Sequence, residues 1–388
     1  MRDFTCPNCG QQLAFENSVC LSCSSPLGFS LADRALVVIG DPPGDAAVDR
    51  SSGVVDRERF RLCDNLHVAQ CNWLVPVPEE PGIAASAVVP PAQSEFGTAD
   101  DARPITATTT DGVVAPMSNA DGGPRFCESC RLTRTRPNDL DAAGMQAFAE
   151  AEAAKRRLIM ELVELGLPIV GRDKNPQTGL AFDLLSSATD QVTTGHKNGV
   201  ITVDLAEAHD PHREQLRIEM DEPYRTLLGH FRHEIGHYYF AVLVADDDAQ
   251  QRFRNLFGDP YADYQTALDQ HYSEGVPAGW DANYVSSYAS MHAAEDWAET
   301  FAHYLHIRDT LDTAAAFGFA PAGATLDRPQ VGRAGFDRII DLWLPLAWSL
   351  NMVNRSMGHD DLYPFVLPDP VLEKMRLVHE LCGASDPR

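Results

Sequence analysis

Residues 229–240 run Gly229-His230-Phe231-Arg232-His233-Glu234-Ile235-Gly236-His237-Tyr238-Tyr239-Phe240. Read as a helix, this stretch places His233 and His237 about 40° apart around the axis, so both imidazoles can reach one metal ion. Glu234, next to the first histidine, is then placed to polarise a zinc-bound water, as the HExxH pattern requires. Phe231, Ile235, Tyr239 and Val242 fall on the other side and are expected to bury against a core. One helix thus carries a metal face and a packing face.

Two histidines leave a metal short of ligands, so a third is sought downstream. Glu295 and Glu299 are four apart and share a helical face, with Trp297 and Phe301 roughly opposite. The first carboxylate fits a third ligand. The second, one turn on, fits a hydrogen-bond acceptor that fixes the tautomer of a ligand imidazole. His292, three before Glu295, is a weaker rival for the metal, and His230 reads as a polar neighbour of the site. His303 and His306 suit an exposed or partly packed helix face, and nothing in the sequence compels a role for His196.

The nine cysteines form the second pattern, eight of them within the first 130 residues. Cys6-Pro7-Asn8-Cys9 and Cys20-Leu21-Ser22-Cys23 are two CxxC turns, which together supply the four thiolates of a tetrahedral structural zinc. A redox CxxC would need a following helix in a βαβ setting, and none is visible. Cys63, Cys71, Cys127 and Cys130 can form a second structural zinc site if the chain between them loops out, because loop length adds little closure entropy. His67 is more simply an exposed loop histidine than a substitute ligand, and Cys382 has no partner.

Outside these motifs the composition excludes more than it specifies. The 388 residues carry a formal charge of -25, with only four lysines (Lys155, Lys174, Lys197 and Lys374). A nucleic-acid binder shows a basic face, so this balance disfavours nucleic acid. There is no run of about 18 apolar residues to span a membrane and no apolar leader at the start, which points to a cytoplasmic protein. From about Pro78 to Pro124 the chain is rich in Pro, Ala, Thr, Ser and Asp, and is read as a flexible low-complexity insertion. Helical periodicity covers Leu140–Leu165, with Asp139 or Asp141 as cap, then Glu222–Ala245, Tyr284–Asp309, Phe336–Met352 and Val371–Leu381. Short apolar runs occur at Ala35–Ile39 and Trp73–Val77. The alternation over Gly199–Leu205 is the best strand and a candidate cleft edge for pairing with an extended peptide. The expected fold is α+β: an N-terminal cysteine-rich zinc-ribbon module (1–136, with the 78–124 insertion) and a mainly helical domain with a small sheet (137–388).

The stretches Tyr224–Phe240 and His292–Ile307, with Cys71–Val75 and Cys130–Thr135, resemble the bacterial zinc-binding metallopeptidase family that carries an N-terminal zinc ribbon. More distantly, Tyr288, Glu295 and Glu299 have the spacing of the gluzincin peptidases of the anthrax lethal factor class. The resemblance implies His233, His237 and Glu295 as zinc ligands and Glu234 as general base. It also implies Glu299 as the group orienting His233, and Tyr288 as an oxyanion donor, with Tyr284 one turn earlier as its competitor. The implied function is zinc-dependent hydrolysis of a peptide or protein substrate, with one catalytic and one or two structural zinc ions. The alternative is an adaptor that binds a protein partner through the ribbon and carries an inactive peptidase-like body.

Overall fold

The computed structural model describes residues 2–39, 54–55, 60–77, 113–114, 125–187, 192–208, 226–323, 332–363 and 366–384. The cysteine-rich part is made of short pieces. β1 (Phe4–Thr5) pairs with β2 (Gln12–Leu13), and β3 (Leu27–Ser30) pairs with β4 (Ala35–Ile39), which runs parallel to β5 (Val54–Val55). β6 (Phe60–Leu62) and β7 (Leu74–Pro76) form an antiparallel pair around the Cys63–Cys71 loop. Such short strands cannot build a core alone. Phe4, Phe15, Phe29 and Trp73 supply one, with ring centroids between 4.9 and 6.1 Å apart.

The main sheet takes in β8 (Val113–Val114), β9 (Thr133–Arg136), β10 (Ala181–Leu185), β11 (Gly195–Lys197) and β12 (Val200–Asp204), in the order β11-β12-β10-β9-β8. β10 is parallel to both neighbours, while β8 and β11 are antiparallel edges. A parallel β9–β10 pair needs a long crossover, and α1 (Ala142–Glu164) provides it. Asp141 caps this helix by accepting from the Gly144 amide at 2.8 Å. Val113 and Val114 fall inside the segment expected to be a flexible insertion, yet they pair with β9. The rest of 78–124 lies outside the described residues.

Six further helices follow among the described residues: α2 (Leu227–Leu243), α3 (Asp247–Phe257), α4 (Tyr264–Glu274), α5 (Ala293–Ala316), α6 (Arg333–Ser356) and α7 (Asp369–Ala384). Together with the sheets they make an α+β fold. None is long and apolar enough to cross a membrane. The expected helix from Glu222 starts at Leu227, capped by Thr226; positions 222–225 lie outside the described residues. The expected continuous helix Tyr284–Asp309 is broken, because His292 adopts an extended backbone (φ -153°, ψ 150°) and caps α5. Its Nδ1 accepts the Ala294 amide at 3.0 Å.

β12 is not a cleft edge. It is hydrogen-bonded on both sides, and β11 stands between it and the sheet margin. The fully buried Ile201 and Val203 explain its clear alternation: one face of β12 meets the core shared with Phe182, Leu184 and the helices. Phe231 of α2 sits edge-on to Phe182 at 5.8 Å. α2 is therefore wedged between the sheet side and α5.

Candidate metal centres

The close crossing of α2 and α5 builds the principal site. Gly236 lies where they touch: a Cβ added there would come within 3.0 Å of the Ala298 Cα and 3.2 Å of its carbonyl oxygen. The glycine inside the HExxH stretch thus lets the two backbones approach, and Trp297 locks them by donating to the Gly236 carbonyl at 2.9 Å. Ile235, Tyr239, Trp297 and Phe301 are fully buried on the packing sides, as their spacing predicts.

On the opposite face three donor atoms converge. His233 Nε2 is 3.0 Å from Glu295 Oε2, His237 Nε2 is 3.5 Å from the same oxygen, and the two imidazole nitrogens are 3.3 Å apart. Four-coordinate zinc with bonds of about 2.0–2.1 Å has ligand–ligand edges of about 3.3–3.4 Å, so this triangle matches one face of such a shell. Unscreened donors this close would repel or compete for protons in a buried site, which favours a cation between them. Glu299 accepts from His233 Nδ1 at 2.6 Å, which leaves Nε2 directed at the convergence point. Burial opposes the charge on Glu299, but the His233 hydrogen bond and charge outweigh it and hold the carboxyl well below the usual range.

Glu234 is buried beside this triangle. One oxygen meets His230 Nε2 at 3.2 Å, and the other, Oε2, has no hydrogen-bond partner among the described residues. Desolvation would raise its carboxyl, yet His230, His233 and His237 together keep it below the ordinary value. His230 therefore belongs to the surroundings of the site. His292 does not compete for a metal, since Nδ1 caps α5 and Nε2 donates to the Ala262 carbonyl at 3.1 Å. His303 is buried rather than exposed, bonded through Nδ1 to the Tyr363 hydroxyl at 2.5 Å.

The two candidate tyrosines separate. The Tyr288 ring lies 6.1 Å from the His233 ring, whereas Tyr284 covers the Lys374 ammonium at 4.3 Å. Sequence reasoning missed Tyr264, whose hydroxyl donates to Glu295 Oε1 at 3.0 Å and lies 3.5 Å from the Tyr288 hydroxyl. It also left open the position of His196, which stacks on His237 at 6.4 Å and accepts the Gly199 amide at 3.0 Å through Nε2. Burial, with the His237 charge, pushes the His196 imidazole down to about 4.

The cysteines gather as two fourfold clusters. Cys6–Cys23 and Cys9–Cys20 are 3.7 and 3.6 Å apart at sulfur; Cys71 lies 3.7 Å from Cys127 and 3.6 Å from Cys130. Zn–S bonds of about 2.3 Å give tetrahedral S···S edges of about 3.8 Å, so both clusters fit zinc. His67 is exposed and outside the second cluster. The second cluster also has a buried cation beside it. Arg156 carries two guanidinium nitrogens, Nε and Nη1, without hydrogen-bond partners among the described residues, close to Cys71, Cys127 and Cys130. Cys382 belongs to neither cluster, and burial pushes its thiol up to about 12.

Residues 144–381 match the family described as "Putative zinc-binding metallo-peptidase". The chain belongs to this family. Residues 3–88 match a zinc-ribbon domain, which makes the N-terminal part a zinc-ribbon region; Cys127 and Cys130 fall between the two matched ranges. Uncharacterized proteins of Mycobacterium tuberculosis (strain ATCC 25618 / H37Rv) and Mycobacterium bovis (strain ATCC BAA-935 / AF2122/97) are each 60% identical over all 388 residues, which cover 97% of their own length. No solved structure matches the chain. The metallo-peptidase match encloses all of His233, Glu234, His237, Tyr264, Tyr288, Glu295 and Glu299.

Proposed function

We propose that the chain is a zinc-dependent peptidase, with the metal held by His233, His237 and Glu295. The observation that carries this reading is the triangle of donor atoms 3.0–3.5 Å apart, flanked by a buried Glu234 oxygen with no partner among the described residues. Zinc in such a setting supplies Lewis-acid polarisation of a carbonyl and lowers the pKa of a water toward about 7. Glu234 takes a proton from the attacking water and returns it to the departing amine, with His230 holding its other oxygen in place. Tyr288 donates a hydrogen bond to the oxygen on which negative charge develops. Glu299 keeps His233 in the tautomer that leaves Nε2 for the metal. The two cysteine clusters hold structural zinc and take no part in the chemistry.

Replacing Glu234 with glutamine tests the assignment. Cleavage of a peptide library should fall by about 10²–10⁴-fold, while the zinc content matches that of the wild type. Unchanged cleavage would overturn the role of Glu234. Absence of any cleavage by the zinc-loaded wild type, with capture of partners by the intact ribbon, would favour the adaptor alternative.

A further inference from the structure

Helix α4 is unusual among the helices around the site in having no buried residue. Apolar packing therefore does little to hold it, and its ties to the body must be specific. Two of its side chains, Tyr264 and His271, lie seven residues apart on one face, and both meet the site. The His271 ring is edge-on to Tyr288 at 6.1 Å, and the Tyr264 ring is 5.3 Å from His292. At the start of the helix, the Ala262 carbonyl accepts from His292 Nε2 at 3.1 Å.

Donor and acceptor accounting separates the roles of the two tyrosines. Glu295 is 3% exposed, and its Oε2 is the oxygen nearest both His233 and His237. Its Oε1 faces Tyr264 instead, at 3.0 Å. A carboxylate only accepts, and a tyrosine hydroxyl has a single proton, so the Tyr264 proton is committed to Glu295. In the 3.5 Å contact between the hydroxyls, Tyr264 can then only accept. That contact is too long to bind the Tyr288 proton strongly.

We propose that Tyr264 is a positioning residue for Glu295: by occupying Oε1 it presents Oε2 alone to the metal, and it leaves Tyr288 as the hydroxyl with a proton to offer substrate. The inference rests on the zinc-site reading above and adds a residue to it. It also ties α4 to the metal centre through the Tyr264–Glu295 bond, so that weakening this bond loosens a wall of the site. Such outer hydrogen bonds to a ligand set both its orientation and its basicity.

The test uses the full chain, with zinc in both cysteine clusters and cobalt(II) in the third site. Four proteins are compared: wild type, Tyr264→Phe, Glu295→Ala and Tyr272→Phe, an α4 control at a 69% exposed position. Phe keeps the half-buried ring of Tyr264 and removes only the hydroxyl; circular dichroism melting establishes that the fold is retained. Tyr264→Phe should weaken cobalt binding by roughly tenfold or more. It should also shift the visible cobalt bands and speed hydrogen exchange across 264–274, while Tyr272→Phe matches wild type. Glu295→Ala should abolish binding at the third site. Wild-type affinity and spectrum in Tyr264→Phe, with binding lost in Glu295→Ala, would overturn the role of Tyr264 alone. Full third-site binding in Glu295→Ala would overturn the zinc-site reading, and this inference with it.

Discussion

The two cysteine clusters each gather four thiols, but from chain segments of very different separation. The first joins Cys6 to Cys23 across 17 residues of one short hairpin region, and Cys9 is exposed. The second joins Cys71 to Cys127 across 56 residues, and all four of its cysteines are buried. Around the first lie short strands and turns; around the second lie β9 and α1. Cys130 Sγ contacts Glu152 Oε2 at 3.4 Å, and Glu152 Oε1 bonds to Lys155 at 2.6 Å and to the Thr133 hydroxyl. Arg156, on the same helix α1, donates to the Ala69 carbonyl at 3.2 Å. The first cluster is a local clasp. The second fastens the ribbon region to the sheet and to α1, which packs on the HExxH helix.

The sharpest way to break this contrast is to remove one ligand from each cluster. A structural zinc contributes about 10–16 kcal/mol of apparent binding energy in small zinc domains, against about 5–15 kcal/mol for a whole folded domain. Cys130→Ser should therefore abolish cooperative unfolding of the entire chain, whereas Cys9→Ser should unfold the ribbon tip and leave the helical transition in place. Circular dichroism melting with zinc counted per chain decides it. Equal effects from the two variants would mean that the second cluster is no more integrated than the first.

A smaller effect tests the charges that surround the second cluster. Burial penalises the Glu152 carboxylate, but Lys155 and Arg156 outweigh this and keep it ionised. Arg156 is 2% exposed, so its loss strands negative charge in a dry site. Arg156→Met should cost about 3–5 kcal/mol, as breaking a buried ion pair does, and Arg156→Lys should recover part of it. Denaturant unfolding measures both. A cost below 1 kcal/mol for Arg156→Met would show that the thiolates are neutralised by metal alone.

The same contrast explains what could be read from the sequence. CxxC turns at Cys6–Cys9 and Cys20–Cys23 announce a local site, and HExxH announces the two histidines, because each fits within one turn or one helix face. Glu295 and Glu299 were legible because α5 repeats that face, with Trp297 and Phe301 opposite. Tyr264 was not, since α4 buries nothing and so leaves no apolar period to notice. The interior place of β12 was hidden for a related reason: alternation identifies a strand but carries no record of β11 pairing beside it. Nothing in the helical stretch Leu140–Leu165 marks Lys155 and Arg156, because the cluster they serve is assembled from cysteines far away in the chain.

The weakest expected effect lies where ribbon and body meet in water. Arg157 follows Arg156 directly but turns outward, with its Nε 2.7 Å from Glu16 and side-chain exposures of 39% and 31%. Exposed ion pairs are worth about 0–1 kcal/mol, because solvent screens them and ordering two long side chains costs entropy. Arg157→Ala should therefore shift unfolding by less than about 1 kcal/mol, and added salt should erase even that difference. The comparison with Arg156 is controlled by geometry: adjacent residues on one helix, both cationic, one sealed beside the cysteines and one in solvent. If Arg157→Ala proved as damaging as Arg156→Met, the join between the two regions would depend on their outer contact, and the buried cluster would lose its claim to be the fastening.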